Sequence, residues 1–192
     1  MSARQAGQAG LTIWLTGLPA SGKTTLAGVL AARLAERGHS VEVLDADALR
    51  QILTPRPRYD EEERKWFYGV LVYLADLLSR HGVTVLLAAT AHRRAYRELA
   101  RGTLPRFAEV YVSCPIGECR RRDRKELYQR ARLGLIQTLP GEQEPYEAPE
   151  APSAVANTEL LDPEEAADSV IHQLEQAGAL EQVAPLARAR ES

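Results

Sequence analysis

The segment GLPASGKT, residues 17–24, fits the pattern G-x-x-x-x-G-K-[ST], in which a glycine-rich loop closes around phosphate groups. An apolar run at residues 11–15 precedes the segment. Apolar side chains at three- and four-residue spacing follow it from Leu26 to Leu34, which is typical of a helix. The segment therefore lies between a predicted strand and a predicted helix, as a P-loop must, and it decides the fold.

Each part of this loop has a task in binding a nucleoside triphosphate. The glycines let backbone N–H groups close around phosphate oxygens, and the N-terminus of the next helix adds partial positive charge. The Lys23 ammonium reaches the β- and γ-phosphates, and the Thr24 hydroxyl is a ligand for Mg²⁺. The motif thus predicts a site for ATP and Mg²⁺.

Strands and helices are predicted to alternate along the rest of the chain. Strand-like runs at residues 41–47, 83–88 and 109–112 are separated by helical stretches, and a short extended piece at 155–158 adds a fifth strand. Asp162 and Pro163 predict the start of a closing helix that ends near residue 177. This alternation implies parallel pairing. We expect a three-layer α/β fold of the P-loop NTPase type, with a mostly parallel five-stranded sheet, helices on both faces and a helical lid.

A lid is predicted at about residues 117–152. A basic helix at 117–133 leads into a loop whose prolines, at 140, 145, 149 and 152, exclude both helix and central strand. Long loops in compact domains are often lids or binding loops. Residues 11–177 are expected to form one kinase-sized domain, between flexible ends at 1–10 and 178–192.

Composition and charge limit the classes of partner and of site that we expect for this protein. Lys and Arg number 24 and Asp and Glu number 26, so the formal net charge is −2 and no basic field of the kind that attracts nucleic acid is expected. The apolar runs are too short to cross a membrane. Only two cysteines occur, Cys114 and Cys119, which favours reduced thiols in a cytoplasmic protein over a disulfide framework or a zinc site.

Two carboxylates, Asp45 and Asp47, follow the second strand in the stretch LDADALR at residues 44–50. Ligands of parallel sheets bind at the carboxyl ends of the strands, and residues two apart share one side if the strand continues that far. One carboxylate is suited to orienting or deprotonating an attacking hydroxyl and the other to ordering a metal-bound water. The alternative, that Asp47 only caps the next helix, stays open.

The stretch RRRDRK at residues 120–125 permits two interpretations. A solvated helix face is the ordinary explanation for such a charge run. A cationic helix that closes over ATP would instead supply charge to the transferring phosphoryl group and exclude water. The four histidines lie in separate elements or at helix ends, and we assign them no catalytic role.

Four blocks together resemble the adenylylsulfate kinase family, whose members phosphorylate the 3′-hydroxyl of adenylylsulfate. They are GLPASGKTT at 17–25, LDADALR at 44–50, FAEVYVSCPIGEC with RDRKELYQRAR between 107 and 132, and PYEAP at 145–149. The resemblance implies ATP and adenylylsulfate as substrates, Mg²⁺ as the metal and a role in sulfate assimilation. Because many relatives are dimers, it also implies a homodimer.

The resemblance also implies roles for individual residues. Lys23 and Asp47 are the expected catalytic residues, and Thr24 is the expected metal ligand. The expected ATP-binding residues are Gly17, Ala20, Ser21, Gly22, Lys23, Thr24, Thr25, Arg122 and Arg132. The expected acceptor-binding residues are Asp45, Asp47, Arg50, Tyr59, Arg64, Thr90 and Lys125.

The acceptor side departs from the family pattern more than the ATP side. Glu63-Arg64 stands where the family has Asp-Arg, and Phe67 and Val70 stand where it has Asn and Arg. Further on, Thr90-Ala91 replaces Ser-Pro, and Leu139 lies near the position of a lid aromatic. A kinase of the same fold with a different nucleotide-linked or small hydroxyl acceptor is therefore an alternative. A nucleotide-binding module without catalysis is another, although the retained Lys23, Thr24, Asp47 and Lys125 argue against it.

Overall fold

Strand β1 (Thr12–Thr16) is the central strand of a five-stranded sheet in the computed structural model, which describes residues 9–180. The strand order is β2-β3-β1-β4-β5, and every pairing is parallel. The other strands are β2 (Val41–Asp45), β3 (Thr84–Ala88), β4 (Phe107–Ser113) and β5 (Ala154–Asn157). The predicted α/β fold class is confirmed, and the sheet is wholly rather than mostly parallel.

Helices cover both faces of this sheet. One face carries α1 (Lys23–Glu36) and α7 (Pro163–Gln176), and the other carries α3 (Glu61–Ser79) and α4 (Arg94–Thr103). Three shorter helices are α2 (Ala46–Leu53), α5 (Ile116–Arg122) and α6 (Leu127–Arg132). In the described part of the chain, no helix combines the length and the apolar character needed to cross a bilayer.

The side chains of β1 alternate between the two layers, as the period of a strand requires. Ile13 and Leu15 pack against α1 and α7, whereas Trp14 packs into the layer of α3 and α4. Burial of each such side chain contributes about 1.5–3 kcal/mol. The Trp14 indole N–H donates to the carbonyl oxygen of Ala89 at 3.2 Å, so its one polar atom is also satisfied.

The closing helix begins as predicted. The Asp162 carboxylate accepts from the backbone N–H groups of Glu164 and Glu165, the Glu165 side chain accepts from the Asp162 N–H, and Pro163 occupies the first turn. Such a capping box satisfies backbone donors that the helix itself leaves unpaired.

The prediction of a single basic helix at residues 117–133 is wrong, because the segment forms two short helices. It is divided into α5 and α6 because Glu126 adopts a left-handed conformation, with φ of 55°. The Asp123 carboxylate accepts from the N–H groups of Lys125 and Tyr128 and stabilises the break.

Residues just outside the predicted domain limits of 11 and 177 also contact the fold. Gly10 donates its N–H to the Ser79 carbonyl oxygen at 2.8 Å, and Leu180 is 5% exposed against the core. The remainder of the predicted flexible ends, residues 1–8 and 181–192, lies outside the described residues.

A buried ion cluster joins α4 to β4. Arg97 and Glu109 are 1% and 4% exposed, and the Arg97 Nε lies 2.6 Å from a Glu109 oxygen. Arg101 binds the second Glu109 oxygen at 2.7 Å. Arg97 also donates to the carbonyl oxygen of Glu147 at 2.6 Å, so the cluster holds the proline loop against the sheet.

We expect Glu109→Gln to lower the free energy of unfolding by about 3–5 kcal/mol, because it leaves a buried guanidinium without its counter-charge. Urea unfolding followed by circular dichroism measures this. Glu98→Gln is the matched control, since Glu98 pairs with Arg101 on the surface and should contribute below about 1 kcal/mol. Equal stability of Glu109→Gln and the wild type would contradict the role of the pair.

Candidate active site

The candidate site lies at the edge of the sheet where all five parallel strands end. Residues 17–22 connect β1 to α1, Asp45 is the last residue of β2, and Thr90 follows β3. The predicted lid segment, residues 117–152, follows β4. The topology therefore brings together the phosphate loop, the carboxylates and the basic lid that the sequence predicts.

The phosphate loop packs so tightly on β4 that one position must be glycine. A Cβ on Gly17 would lie 2.5 Å from the Val112 carbonyl oxygen and 2.9 Å from the Ser21 hydroxyl. Gly22, with φ of 97°, begins α1 without any side-chain cap. The N–H groups of the first turn are therefore free to bind an anion.

The Lys23 ammonium folds back onto the loop, donating to the carbonyl oxygens of Gly17 at 3.0 Å and Leu18 at 2.7 Å. Burial lowers the pKa of Lys23 to about 8, against the raising effect of the nearby Asp47 carboxylate. A bound phosphate would favour the charged form, since an adjacent anion stabilises an ammonium.

Thr24 and Asp45 meet beside the loop. The Thr24 hydroxyl donates to one Asp45 oxygen at 2.6 Å, and the other oxygen accepts from the N–H groups of Asp47 and Ala48. Asp45, not Asp47, is therefore the cap of α2, and the capping interpretation of Asp47 is wrong. Because β2 ends at Asp45, the two carboxylates do not share one side of a strand.

This pair of oxygen groups fits the chemistry of Mg²⁺, which prefers hydroxyl and carboxylate oxygen ligands. Within residues 9–180 there is no cluster of three or more metal-binding side chains. A P-loop metal needs none, because substrate phosphates and water supply the other ligands. Thr24 and Asp45 are thus the residues suited to hold the ion.

Asp47 lies in the first turn of α2 and meets the lid. Its carboxylate accepts from the Lys125 ammonium at 2.7 Å, although the two residues are 78 positions apart. This hydrogen bond raises the pKa of Lys125. Both side chains are mainly exposed, at 69% for Asp47 and 64% for Lys125, so a substrate can reach them.

An aromatic and cationic cluster lies farther along the same edge. Arg50 pairs with Glu63 at 2.6 Å, and its guanidinium lies 3.8 Å from the centre of the Phe67 ring and 4.9 Å from that of Tyr59. Phe67 is fully buried, whereas Tyr59 is 40% exposed. This chain therefore has an apolar floor where the family pattern has an asparagine.

Arg64 is a buried cation whose hydrogen bonds go to neutral groups. It is 6% exposed and donates to the carbonyl oxygens of Tyr59 at 2.8 Å and Thr138 at 2.6 Å, and to a ring nitrogen of His92 at 3.3 Å. The described residues give it no carboxylate partner. Buried charges are normally paired, so this site favours an anionic ligand.

The remaining predicted residues have less direct placements. Arg122 donates to the Thr158 carbonyl oxygen at 2.9 Å, and Arg132 is exposed on α6. The Thr90 carbonyl oxygen accepts from the Thr16 hydroxyl at 2.7 Å. Leu139 is buried within the lid, in one apolar cluster with Tyr128, and does not face solvent.

Sequence reasoning missed several contacts that hold the lid and the loop. The Tyr128 hydroxyl donates to the Pro19 carbonyl oxygen at 2.9 Å, the Tyr146 and Thr16 hydroxyls are 2.9 Å apart, and the Thr158 hydroxyl donates to the Ser21 carbonyl oxygen at 2.8 Å. The tyrosines lie within two of the blocks quoted above, so their position was a usable signal. Thr158 had none, because it lies 137 positions from its partner.

Backbone strain is concentrated around the same edge. Among residues 9–180, the non-glycine residues with left-handed φ are Ala20, Tyr59, Ala91 and Glu126. They lie in the phosphate loop, beside the aromatic cluster, after β3 and in the lid, respectively. Such conformations cost about 1–3 kcal/mol each and occur preferentially at functional sites.

Comparisons with known proteins agree with this geometry. The family profile described as Adenylylsulphate kinase matches residues 9–157. Adenylyl-sulfate kinase of Gloeothece citriformis is 40% identical over 173 residues, covering 90% of this chain and 98% of that protein. A probable adenylyl-sulfate kinase of Pyrococcus abyssi is also 40% identical, over 89% of this chain and 98% of its own length.

Solved structures give the same result. The Mycobacterium tuberculosis APS kinase in complex with AMPPNP and APS has a TM-score of 0.82 and 34% identity, covering 88% of this chain and 99% of that one. A hexameric APS kinase from Thiobacillus denitrificans has a TM-score of 0.67 and 26% identity, over 93% of this chain and 31% of the other. The profile match, the relatives and the site geometry together place this chain in the adenylylsulfate kinase family.

Proposed function

We propose that this protein transfers the γ-phosphoryl group of ATP to the 3′-hydroxyl of adenylylsulfate, giving 3′-phosphoadenylylsulfate and ADP in sulfate assimilation. The observation that carries the proposal is the joining of two sites at one sheet edge. The phosphate loop follows β1, and Arg64, a buried cation that lacks a carboxylate partner in the described chain, contacts His92 after the neighbouring strand β3. A nucleotide acceptor with a phosphosulfate group supplies the missing negative charge.

The ATP half of the site needs little rearrangement. The loop at residues 17–25 holds the phosphates with its backbone N–H groups, and Lys23 exchanges its two carbonyl contacts for the β- and γ-phosphate oxygens. Mg²⁺, when bound, neutralises charge on those oxygens. Arg122 and Arg132 close over the nucleotide from the lid.

The transfer step uses Asp47 and Lys125. Asp47 orients the acceptor hydroxyl and takes its proton as the hydroxyl oxygen bonds to the γ-phosphorus and the bond to the β,γ-bridging oxygen breaks. The Lys125 ammonium lies 2.7 Å from the Asp47 carboxylate. It moves with the lid and stabilises the negative charge on the transferring phosphoryl group. Asp45 takes no part in proton transfer, since both its oxygens are engaged by Thr24 and by the cap of α2.

Tyr59 and the cations around it bind the acceptor. The Tyr59 ring is 40% exposed and offers a face on which adenine stacks. Arg50 is neutralised locally by Glu63, so Arg64 supplies more of the positive charge for the phosphosulfate. Thr90 lies at the end of the same edge and completes the acceptor side.

We also infer a cytoplasmic location and a homodimer. Cys114 and Cys119 are both buried free thiols, as expected in a reducing compartment. For the homodimer, the support is a stripe along the outer face of α3, formed by Trp66, Val70, Tyr73 and Leu77, which recur at alternating four- and three-residue spacing. This spacing is the heptad seam of paired helices.

Antiparallel pairing of the stripe with its own copy would bring apolar side chains together. About a centre between Val70 and Tyr73, Trp66 faces Leu77. Gly69 lies within the stripe, and a Cβ there would meet no atom within 4 Å. A mid-helix glycine costs about 1 kcal/mol relative to alanine, which close approach of a second helix would explain.

One prediction of the proposed function concerns the acceptor. Wild-type protein should phosphorylate adenylylsulfate at the 3′-hydroxyl much faster than AMP in a coupled ADP-release assay, with the product identified by mass spectrometry. Tyr59→Ala should raise KM for adenylylsulfate by about 10- to 100-fold through lost stacking, with KM for ATP unchanged. Tyr59→Phe keeps the ring and should behave like the wild type. Turnover of adenylylsulfate no faster than that of AMP would refute the acceptor and leave only a P-loop kinase.

Another prediction distinguishes the roles of the two carboxylates. Asp47→Asn should lower kcat by about 100-fold or more, with little change in ATP binding, because it removes the proton acceptor. Asp45→Asn should instead raise the apparent KM for MgATP, since it perturbs the group beside Thr24. Isothermal titration with a non-hydrolysable ATP analogue measures binding independently of turnover. If the two phenotypes were exchanged, the roles given to Asp45 and Asp47 would be reversed.

A further prediction concerns assembly. The wild type should sediment with twice the chain mass, and Tyr73→Glu should sediment as a monomer because it places a charge in the apolar seam. Leu160→Glu is the matched control, since Leu160 is 76% exposed and lies outside the stripe. Sedimentation velocity and thermal melting report mass and folding separately. A folded Tyr73→Glu variant that remained dimeric would exclude this face as the interface.

A further inference from the structure

His92 is buried at the point where α3, the turn after β3 and the lid loop meet. It is 1% exposed, its Nδ1 lies 3.3 Å from an Arg64 guanidinium nitrogen, and its Nε2 lies 2.7 Å from a Glu144 carboxylate oxygen. Its carbonyl oxygen accepts from the Glu147 N–H at 2.8 Å. One residue therefore links a core helix to two positions of the lid.

The partners of the ring fix its protonation state. Arginine has only donors, so Nδ1 must be unprotonated to accept from Arg64. The single proton then resides on Nε2, and this Nε2–H donates a hydrogen bond to the Glu144 carboxylate. The ring is therefore in its neutral Nε2–H form. A proton added to Nδ1 would face the guanidinium and break that contact.

We propose that His92 is a positioning residue for the acceptor, which in its neutral Nε2–H form holds the Arg64 guanidinium in place and connects it to Glu144 of the lid. Arg64 in turn contacts Tyr59, because its guanidinium donates to the Tyr59 carbonyl oxygen at 2.8 Å. Tyr59 has a φ of 59°, a strained conformation that neighbouring contacts must stabilise. The same guanidinium holds the lid at the Thr138 carbonyl oxygen. The inference rests on the proposed function, since Tyr59 and Arg64 are its acceptor-side residues.

The surroundings of the ring set how it responds to pH. Burial, first, and then the Arg64 charge lower the pKa of His92, whereas Glu144 raises it. Arg93, which pairs with Glu61 at 2.9 Å, also lowers it, and the Tyr96 ring lies 5.8 Å away on α4. The neutral form therefore persists at and above the ordinary pKa of about 6.5, and protonation occurs only at lower pH. Acceptor binding should weaken below that value, while ATP binding should not.

Three variants test the contributions of the two ring nitrogens and of the lid contact separately. His92→Phe fills the space but makes neither hydrogen bond. His92→Asn places an amide oxygen near the Nδ1 position, where it accepts from Arg64 without titrating. Glu144→Ala removes only the partly exposed lid partner, so it is the variant least able to disturb folding. Thermal melting checks that each variant is folded.

We expect His92→Phe to raise KM for adenylylsulfate by about 10-fold or more, the effect of losing a hydrogen bond to a charged group, with KM for ATP within about 2-fold. His92→Asn should restore KM to within about 3-fold of the wild type. In the wild type, KM for adenylylsulfate should rise as pH falls from 7 to 5, and in His92→Asn it should stay constant. Glu144→Ala should give an intermediate increase.

Nitrogen chemical shifts of the ¹⁵N-labelled imidazole provide a test that does not require turnover. They should show a neutral ring with the proton on Nε2 at pH 7. A proton on Nδ1, or an unchanged KM for adenylylsulfate in folded His92→Phe, would overturn the proposal. If the wild type instead failed to phosphorylate adenylylsulfate while the shifts showed Nε2–H, the proposed function would fail and the ring geometry would stand.

Discussion

The approach of the phosphate loop to β4 is the constraint on which the rest of the site depends. Only a residue without a Cβ fits at Gly17, where the Val112 carbonyl oxygen would otherwise lie 2.5 Å away. With the loop held there, Lys23 and Thr24 begin α1 beside the end of β2. The lid then contacts the loop at Pro19. A side chain at Gly17 would push the loop away from β4, and Lys23, Thr24 and the lid contact at Pro19 would move with it.

The two halves of the site are formed by different kinds of chemical group. The ATP half consists mainly of backbone groups whose positions follow from a strand, a tight turn and a helix start. The acceptor half consists of side chains, including the Arg50–Glu63 pair, the Phe67 floor and Arg64. The tight turn admits no side chain at Gly17, and few residue types can do the work of Lys23 and Thr24, so the first half matches the family pattern closely. The second half can retain its charge and apolar character with different residues.

This division also explains what the sequence could predict. Periodicity predicted the alternating strands and helices because it reflects burial along each element, and the P-loop predicted Lys23 and Thr24 because the motif is local. The break at Glu126 was missed, since a left-handed residue stabilised by Asp123 leaves no trace in the charge pattern. The roles of Asp45 and His92 depend on partners distant in the chain. No local signal tells which of the two aspartates caps α2, or distinguishes His92 from an ordinary buried histidine.

Four of the contacts that hold the lid end on main-chain oxygens. The Tyr128 hydroxyl and the Arg64, Arg97 and Arg122 side chains donate to carbonyl oxygens, at residues 19, 138, 147 and 158 respectively. Every amino acid carries such an oxygen, so substitutions at those four acceptor positions leave the contacts chemically intact as long as the backbone path is kept. These four lid contacts are therefore robust to mutation on the acceptor side, and the side chains at those positions can diverge during evolution while the contacts persist.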